Sequence, residues 1–214
     1  MTAAAATSAP QKLGSGRHPR LYSEGEHVIL SLGAQGCLIR IQRAILGYSD
    51  TFRDMFSLPH VQGAPEERLE GMSDDNPIHL PDDPEHFCGV LSEYYGPTVI
   101  PHPREPSIEY IAGVLRVAKK YGFTLAEKWA LKALHSEFST QSRQWQDALV
   151  LPSREYIQRP LTLVELARRD GGLDKFLESA FYLLCTDETC ADDESLYEGL
   201  HADDALRLMR GTRP

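Results

Sequence analysis

HVILSLGAQGCLIRIQRAILGYSDTFRDMF, residues 27–56, is the stretch of sequence that decides the fold. Apolar side chains alternate along its first six residues, so that every second one shares a face of an extended strand: Val28, Leu30 and Leu32. The turn signal GAQG follows, and the segment CLIRI then repeats the alternation. A strand, a short glycine turn and a second strand predict a β-hairpin with at least one buried face.

Helical spacing replaces the alternation at residue 43. Gly47 and the pair Ser49 and Asp50 divide residues 43–56 into two short helices. Either Ser49 or Asp50 can cap the second helix, because both side chains accept hydrogen bonds from the free N–H groups at a helix start. The apolar residues of this second helix are Phe52, Met55 and Phe56.

One more strand and a longer helix follow the helical pair. Residues 57–77 form a polar loop with several acidic side chains, and IHL at residues 78–80 is typical of a short strand. Residues 84–95 carry apolar side chains at helical spacing, with a proline in the first turn. Asp82 or Asp83 is the predicted N-terminal cap of that helix.

The outer parts of the chain differ in character from this centre. Residues 98–100, TVI, can pair as an edge strand, whereas residues 108–121 have a strongly periodic helical pattern. Residues 1–20 are rich in Ala, Ser, Gly and Pro and should form a disordered tail. We therefore expect an α+β domain at residues 21–138, with a small three-stranded sheet capped by a helix cluster. An all-α extension at residues 139–214 should pack on that domain.

Composition and charge restrict the classes of partner. The chain has 214 residues and a formal net charge of −9, from 22 basic and 31 acidic side chains. Phosphate backbones and anionic membranes attract basic surfaces, so we expect no nucleic-acid or membrane binding. No apolar run reaches the roughly 18 residues of a membrane span. The four cysteines follow no secreted disulfide pattern, which favours an intracellular location, cytoplasmic or nuclear.

The sequence contains no recognisable catalytic motif. A nucleophile needs a base within hydrogen-bond reach, and neither a G-x-S-x-G elbow nor a phosphate or dinucleotide fingerprint occurs. Asp82 and Asp83 resemble a carboxylate pair, but helix capping accounts for both of them. We predict no enzymatic activity, no cofactor and no small-molecule substrate. An unrecognised enzyme is the remote alternative.

Two sets of residues have side chains of the metal-binding type. His79 falls in the predicted short strand, with His86 and Cys88 on the helix after it, while Cys185 and Cys190 bracket a helix end. Structural zinc takes four ligands in a closed tetrahedron, and neither set has a second ligand pair at suitable spacing. We predict no metal site.

Between residues 21 and 138 the order of elements resembles the BTB/POZ domain, in the divergent form abundant in fungi. The matching segments are HVILSLG, CLIRIQRAILGYSDTFRDMF, IHLPDDPEHFCGVLSEYYG and IEYIAGVLRVAKKYGF. The most specific pieces are R-x-I-L-x-x-S-x-x-F-R-x-M-F at residues 43–56 and V-A-K-K-Y-G-F at residues 117–123. Later segments, LVELARRDGG and FLESAFYLL, are also similar to helices of fungal relatives.

The chain departs from the family pattern at two positions. His27 stands where relatives usually have an acidic residue, and Gln42 stands where they usually have a histidine. In several relatives the acid and the following arginine line a charged pocket for partner recognition, and here only Arg43 carries over. Relatives that recruit cullins often have a hydrophobic–x–Glu signal before the third strand, and the nearest match is the weak one at Ala64-Pro65-Glu66.

The resemblance implies a protein–protein interaction module that self-associates or recruits a protein partner. Two roles stay open, a substrate adaptor of a cullin-type ubiquitin ligase and a transcription-regulatory self-association module. Many relatives dimerise by exchanging an N-terminal element that the tail cannot supply, so we expect a weak homodimer. The candidate interaction surface consists of Arg43, Tyr48, Phe52 and Leu58. The acidic stretch at residues 186–204 is either a solvated face or a dock for a basic partner.

Overall fold

The structure is a computed structural model that describes residues 16–17, 27–58, 70–138, 154–170, 173–186 and 200–211. The chain forms two compact units. The first takes in the described residues of Met1–Pro101 together with Tyr121–Thr124, and the second those of His102–Lys120 and Leu125–Pro214. The predicted parts 1–20, 21–138 and 139–214 stay predictions.

A small mixed sheet is the centre of the first unit. Its strands are β1 (Gly16–Arg17), β2 (His27–Leu32), β3 (Cys37–Gln42) and β4 (Ile78–Leu80), in the order β1-β3-β2-β4. The pair β2–β3 is antiparallel, whereas β1 runs parallel to β3 and β4 parallel to β2. The α+β class and the three predicted strands are thereby confirmed.

The hairpin of β2 and β3 has the predicted form. Leu32 pairs with Cys37, and the four-residue turn between them has Gly33 and Gly36 at a φ of +66°, where other residues are strained. The exposure of β3 alternates along the strand, but β2 is buried from Val28 to Leu32. Both faces of β2 are therefore covered, since successive side chains of a strand point to opposite faces of the sheet.

The edge of the sheet is formed by a different segment from the one predicted. The expected edge strand at residues 98–100 is wrong: these residues form a turn in which the Val99 and Ile100 N–H groups both donate to the Gly96 carbonyl. The outer edge of β3 is instead paired with Gly16–Arg17, inside the tail predicted to be disordered. Such pairing needs only backbone groups, so a segment without apolar side chains can supply it. The other residues of that tail lie outside the described residues.

Three helices belong wholly to the first unit: α1 (Arg43–Leu46), α2 (Asp50–Ser57) and α3 (Pro84–Tyr95). Of the two residues that could cap α2, Ser49 is the cap, and its Oγ accepts from the Phe52 N–H at 3.1 Å. Asp83 caps α3, where its carboxylate accepts from the Glu85 and His86 N–H groups.

Five further helices are described: α4 (Ile108–Tyr121), α5 (Thr124–Phe138), α6 (Arg154–Asp170), α7 (Asp174–Thr186) and α8 (Ala202–Gly211). In the second unit, α6 packs against α7 and α7 against α8. None of the helices in the described ranges is long and apolar enough to cross a membrane.

Candidate interaction surface

The short turn between α1 and α2 places Tyr48 on the surface. The Gly47, Tyr48 and Ser49 N–H groups donate to the carbonyls of Arg43, Ile45 and Leu46 and so end α1. Ser49 is fully buried and begins α2, which leaves the preceding Tyr48 side chain 60% exposed. A buried cap thus fixes the backbone directly beside an exposed aromatic ring.

Tyr48 is held by a second tyrosine ring on α3. The ring centroids of Tyr48 and Tyr94 lie 5.3 Å apart at an interplanar angle of 31°. The Tyr94 ring in turn meets the edge of buried Phe123 at 5.4 Å. Tyr94 therefore connects the aromatic core of the first unit to its surface, and it limits the rotamers open to Tyr48.

Arg43 lies over an aromatic ring of α2. Its guanidinium carbon is 4.5 Å from the centroid of Phe56, a cation–π arrangement, and Arg43 itself is exposed. The preceding residue, Gln42, donates its backbone N–H to the Tyr95 hydroxyl at 3.1 Å. Tyr95 is the neighbour of Tyr94 in α3, and Tyr94 is the residue that contacts Tyr48. The end of α3 therefore contacts the chain on both sides of α1.

Phe52 is a core residue, and its assignment to the interaction surface is wrong. Its side chain is 1% exposed and lies 5.3 Å from the ring of Tyr121 and 6.2 Å from that of Phe123. The helix cap at Ser49 directs Phe52 inward, and the chain that covers it comes from the end of α4 and the residues after it. The local sequence places Phe52 among the apolar residues of α2 but does not show which distant residues cover it.

Leu58 lies at the C-terminal end of α2 and is 65% exposed. We define the α1–α2 surface as Arg43, Tyr48, Phe56, Leu58 and Tyr94. Sequence reasoning missed Phe56 and Tyr94, since it assigned both to apolar core faces. Each is half-buried, at the margin where the core reaches solvent. The position of Tyr94 in the last turn of α3, two residues before the terminating Gly96, is the sequence signal that could have indicated its partial exposure.

Tyr121 supports this surface from beneath. Its hydroxyl donates to Asp82 at 2.5 Å, and its backbone carbonyl accepts from the Ser49 hydroxyl. Burial and the neighbouring Asp82 carboxylate raise the pKa of Tyr121, so the hydroxyl keeps its proton and donates at all physiological pH values. Tyr121 thereby positions both Ser49, the cap of α2, and Asp82, which lies two residues before α3.

Most of the residues with metal-type side chains fall in the described ranges. Within the described ranges, no group of three or more His, Cys, Asp or Glu residues is arranged to hold a metal ion. Cys88 is buried, and that burial raises its pKa to about 12, which keeps the thiol protonated and unreactive. His79 is exposed on β4. Cys190 and the Ala64-Pro65-Glu66 signal lie outside the described residues.

The α1–α2 surface combines charged, aromatic and aliphatic side chains. It presents the cation of Arg43, the exposed ring of Tyr48, two half-buried aromatic rings and the aliphatic side chain of Leu58. Comparison with known proteins gives no match: no family model fits the chain, and no curated protein or solved structure matches it.

Proposed function

We propose that this protein is a protein–protein interaction module of the BTB/POZ type that binds a protein partner through the α1–α2 surface. The observation that carries the proposal is Tyr48, which is 60% exposed although it is held against Tyr94. Tyrosine and arginine are the side chains most enriched among the residues that dominate binding energy at interfaces. A tyrosine and an arginine, both anchored on aromatic rings, are the elements of such a contact.

The fixed geometry of these side chains favours binding. A side chain that is ordered before association loses less conformational entropy on binding, which is worth about 0.5–1.5 kcal/mol for each flexible side chain. The Tyr48–Tyr94 and Arg43–Phe56 contacts order two such side chains in advance.

The order of elements supports the BTB/POZ part of the proposal. The segments that carry the sequence resemblance form, in order, β2, β3 with α1 and α2, β4 with α3, and α4. The partner would be a cullin if the protein is a ubiquitin-ligase adaptor. It would be a transcriptional regulator or a second copy of the chain if the protein is a regulatory module.

Affinity capture with matched variants tests the proposal. Tagged wild-type chain and the Tyr48→Ala variant would be used to capture proteins from a fungal extract, and each captured protein would be purified and titrated by calorimetry. A purified cullin N-terminal domain is titrated in parallel. We expect Tyr48→Ala and Arg43→Ala each to weaken binding about tenfold or more, as truncation of an interface anchor does.

Two control variants distinguish specific binding at the α1–α2 surface from nonspecific hydrophobic binding. Tyr48→Phe keeps the ring, and Val99→Ala alters another exposed apolar residue of the first unit, 40% exposed. Both should bind within about twofold of wild type, because Tyr48→Phe keeps the aromatic ring and Val99 lies outside the α1–α2 surface. A partner that binds Tyr48→Ala and Arg43→Ala as tightly as wild type would exclude the α1–α2 surface as its site.

A further inference from the structure

The helix α8 exposes apolar side chains along one side. Leu206 is 49% exposed and Met209 51% exposed, and Ala202 is exposed as well. The spacing i, i+4, i+7 places the three residues in one line on the helix surface. We call this line the α8 stripe.

The opposite side of α8 packs against α6 and α7. Rotation of the helix to bury the α8 stripe would break these contacts. The side chain of Asp204 is fully buried and accepts two hydrogen bonds from the Arg168 guanidinium of α6, at 2.8 and 2.6 Å. Leu208, one turn further on, is 4% exposed. A Cβ atom at Gly211 would lie 2.5 Å from the Cys185 sulfur of α7, so a larger residue there would force the Cys185 side chain to move.

Two opposite charges border the α8 stripe. Asp203 lies in the first turn of α8 and Arg210 in the last. Both are exposed, and the seven-residue separation of two turns puts them on the same side of the helix. Asp203 has a long contact of 3.7 Å with the imidazole of His201, whereas Arg210 has no ion-pair partner among the described residues.

We infer that the α8 stripe is a self-association site, at which α8 pairs antiparallel with α8 of a second copy of this chain. A two-fold axis near Leu206 would bring Asp203 of each copy opposite Arg210 of the other, so the ion pair forms twice. A parallel pairing would keep Asp203 of each copy two turns away from Arg210 of the other, so neither ion pair would form. The antiparallel arrangement also sets the positive end of each helix dipole near the negative end of the other.

The contact is small, and the dimer it forms is correspondingly weak. A ten-residue helix is about 15 Å long, so the buried area falls below the roughly 1,200–2,000 Å² of standard stable interfaces. We expect a monomer–dimer equilibrium in the micromolar range or weaker. This site is separate from the α1–α2 surface, so the inference does not depend on the proposed function.

Sedimentation velocity of the full chain over a wide concentration range tests the inference. The double variant Leu206→Glu/Met209→Glu should stay monomeric at concentrations where wild type dimerises. Leu125→Glu, which alters a residue of similar exposure, 47%, on α5, should dimerise as wild type does. Circular dichroism verifies that each variant is folded. Tyr48→Ala should leave this equilibrium unchanged, which distinguishes it from the partner-binding test.

Exchange of the two charges tests the antiparallel register. Asp203→Arg and Arg210→Asp should each weaken dimerisation about tenfold or more, because each creates two like-charge pairs. The double variant Asp203→Arg/Arg210→Asp should recover most of the wild-type affinity. The inference is overturned if wild type remains monomeric at the highest concentration or if the stripe variant dimerises normally. It is equally overturned if the Asp203→Arg/Arg210→Asp variant fails to recover the dimerisation affinity that each single variant loses.

Discussion

Asp204 is a carboxylate on the side of α8 that faces inward. Its side chain is fully buried, and Arg168 binds it through two hydrogen bonds, with Arg207 at 3.3 Å. These contacts hold the pKa of Asp204 below its ordinary value, the Arg168 hydrogen bonds being the largest cause. Because the folded pKa is lowered, the stabilisation is present above the unfolded pKa of about 3.9 and is lost as pH falls through the folded value.

Replacement of Asp204 by Asn tests this role. We expect Asp204→Asn to lower the free energy of unfolding by about 1–3 kcal/mol at neutral pH, because the arginine loses its charged acceptor. Urea unfolding between pH 3 and pH 7 measures the effect. The difference between wild type and variant should shrink below about pH 4, where the Asp204 carboxylate of the unfolded wild-type chain takes up a proton. A constant difference over the whole range would show that the charge of Asp204 is not the cause.

Single residues also show where sequence reasoning succeeds and where it stops. The caps Ser49 and Asp83 were each among two predicted candidates, because a helix start depends on local backbone groups. The inward direction of Phe52 was missed, because it depends on Tyr121 and Phe123, about 70 residues away. Arg43, Tyr48 and Leu58 were predicted to be exposed candidates, and each is exposed.

The helix α4 and the segment at residues 98–100 show the same contrast between local and distant determinants of structure. Its periodic pattern predicted both its range and its buried side, and Leu115 is 2% exposed on that side. The short segment at residues 98–100 was not predictable, because three β-favouring residues form a strand only where a free sheet edge is within reach. A long periodic element contains enough local sequence information to predict its own structure. The structure of a short segment depends on the elements that lie next to it.

We expect Leu115→Asp to unfold the protein or to lower its melting temperature strongly. A buried carboxylate without a partner costs several kcal/mol, against a total stability of roughly 5–15 kcal/mol. Lys119→Asp is the matched control, since it introduces the same side chain at an exposed position of α4. The control should cost under about 1 kcal/mol, mainly through the helix dipole. A soluble Leu115→Asp variant with the wild-type melting temperature would contradict the burial of that position.

On the scale of the whole molecule, the second unit joins segments that sequence reasoning had divided. It contains most of α4 and α5 together with α6, α7 and α8. Apolar residues of α4, α6 and α7 are buried in this unit, among them Ile111, Val114, Leu163, Val164, Phe176 and Leu184. The helices on both sides of residue 139 therefore depend on one compact unit.

Truncation after residue 138 should destabilise what remains. Removal of α6, α7 and α8 divides the second unit and exposes apolar surface, which costs about 25 cal/mol for each Å². We expect aggregation by light scattering and a lower melting temperature. Truncation after Gly211 removes only three residues and serves as the control. A monodisperse truncated chain with the wild-type melting temperature would show that the C-terminal helices are an independent appendage.

The discontinuity of the first unit has a consequence for synthesis on the ribosome. Its first segment ends at Pro101, but its aromatic cluster also needs Tyr121 and Phe123, which follow most of α4. At roughly 5–20 residues per second, about 1–4 s separate Pro101 from Phe123 at the site of peptide-bond formation. The same interval separates their emergence from the ribosome, so Phe52 and Phe87 emerge before the rings of Tyr121 and Phe123 that cover them. The nascent chain therefore passes through a stage with exposed aromatic surface, which a chaperone that binds apolar segments can recognise.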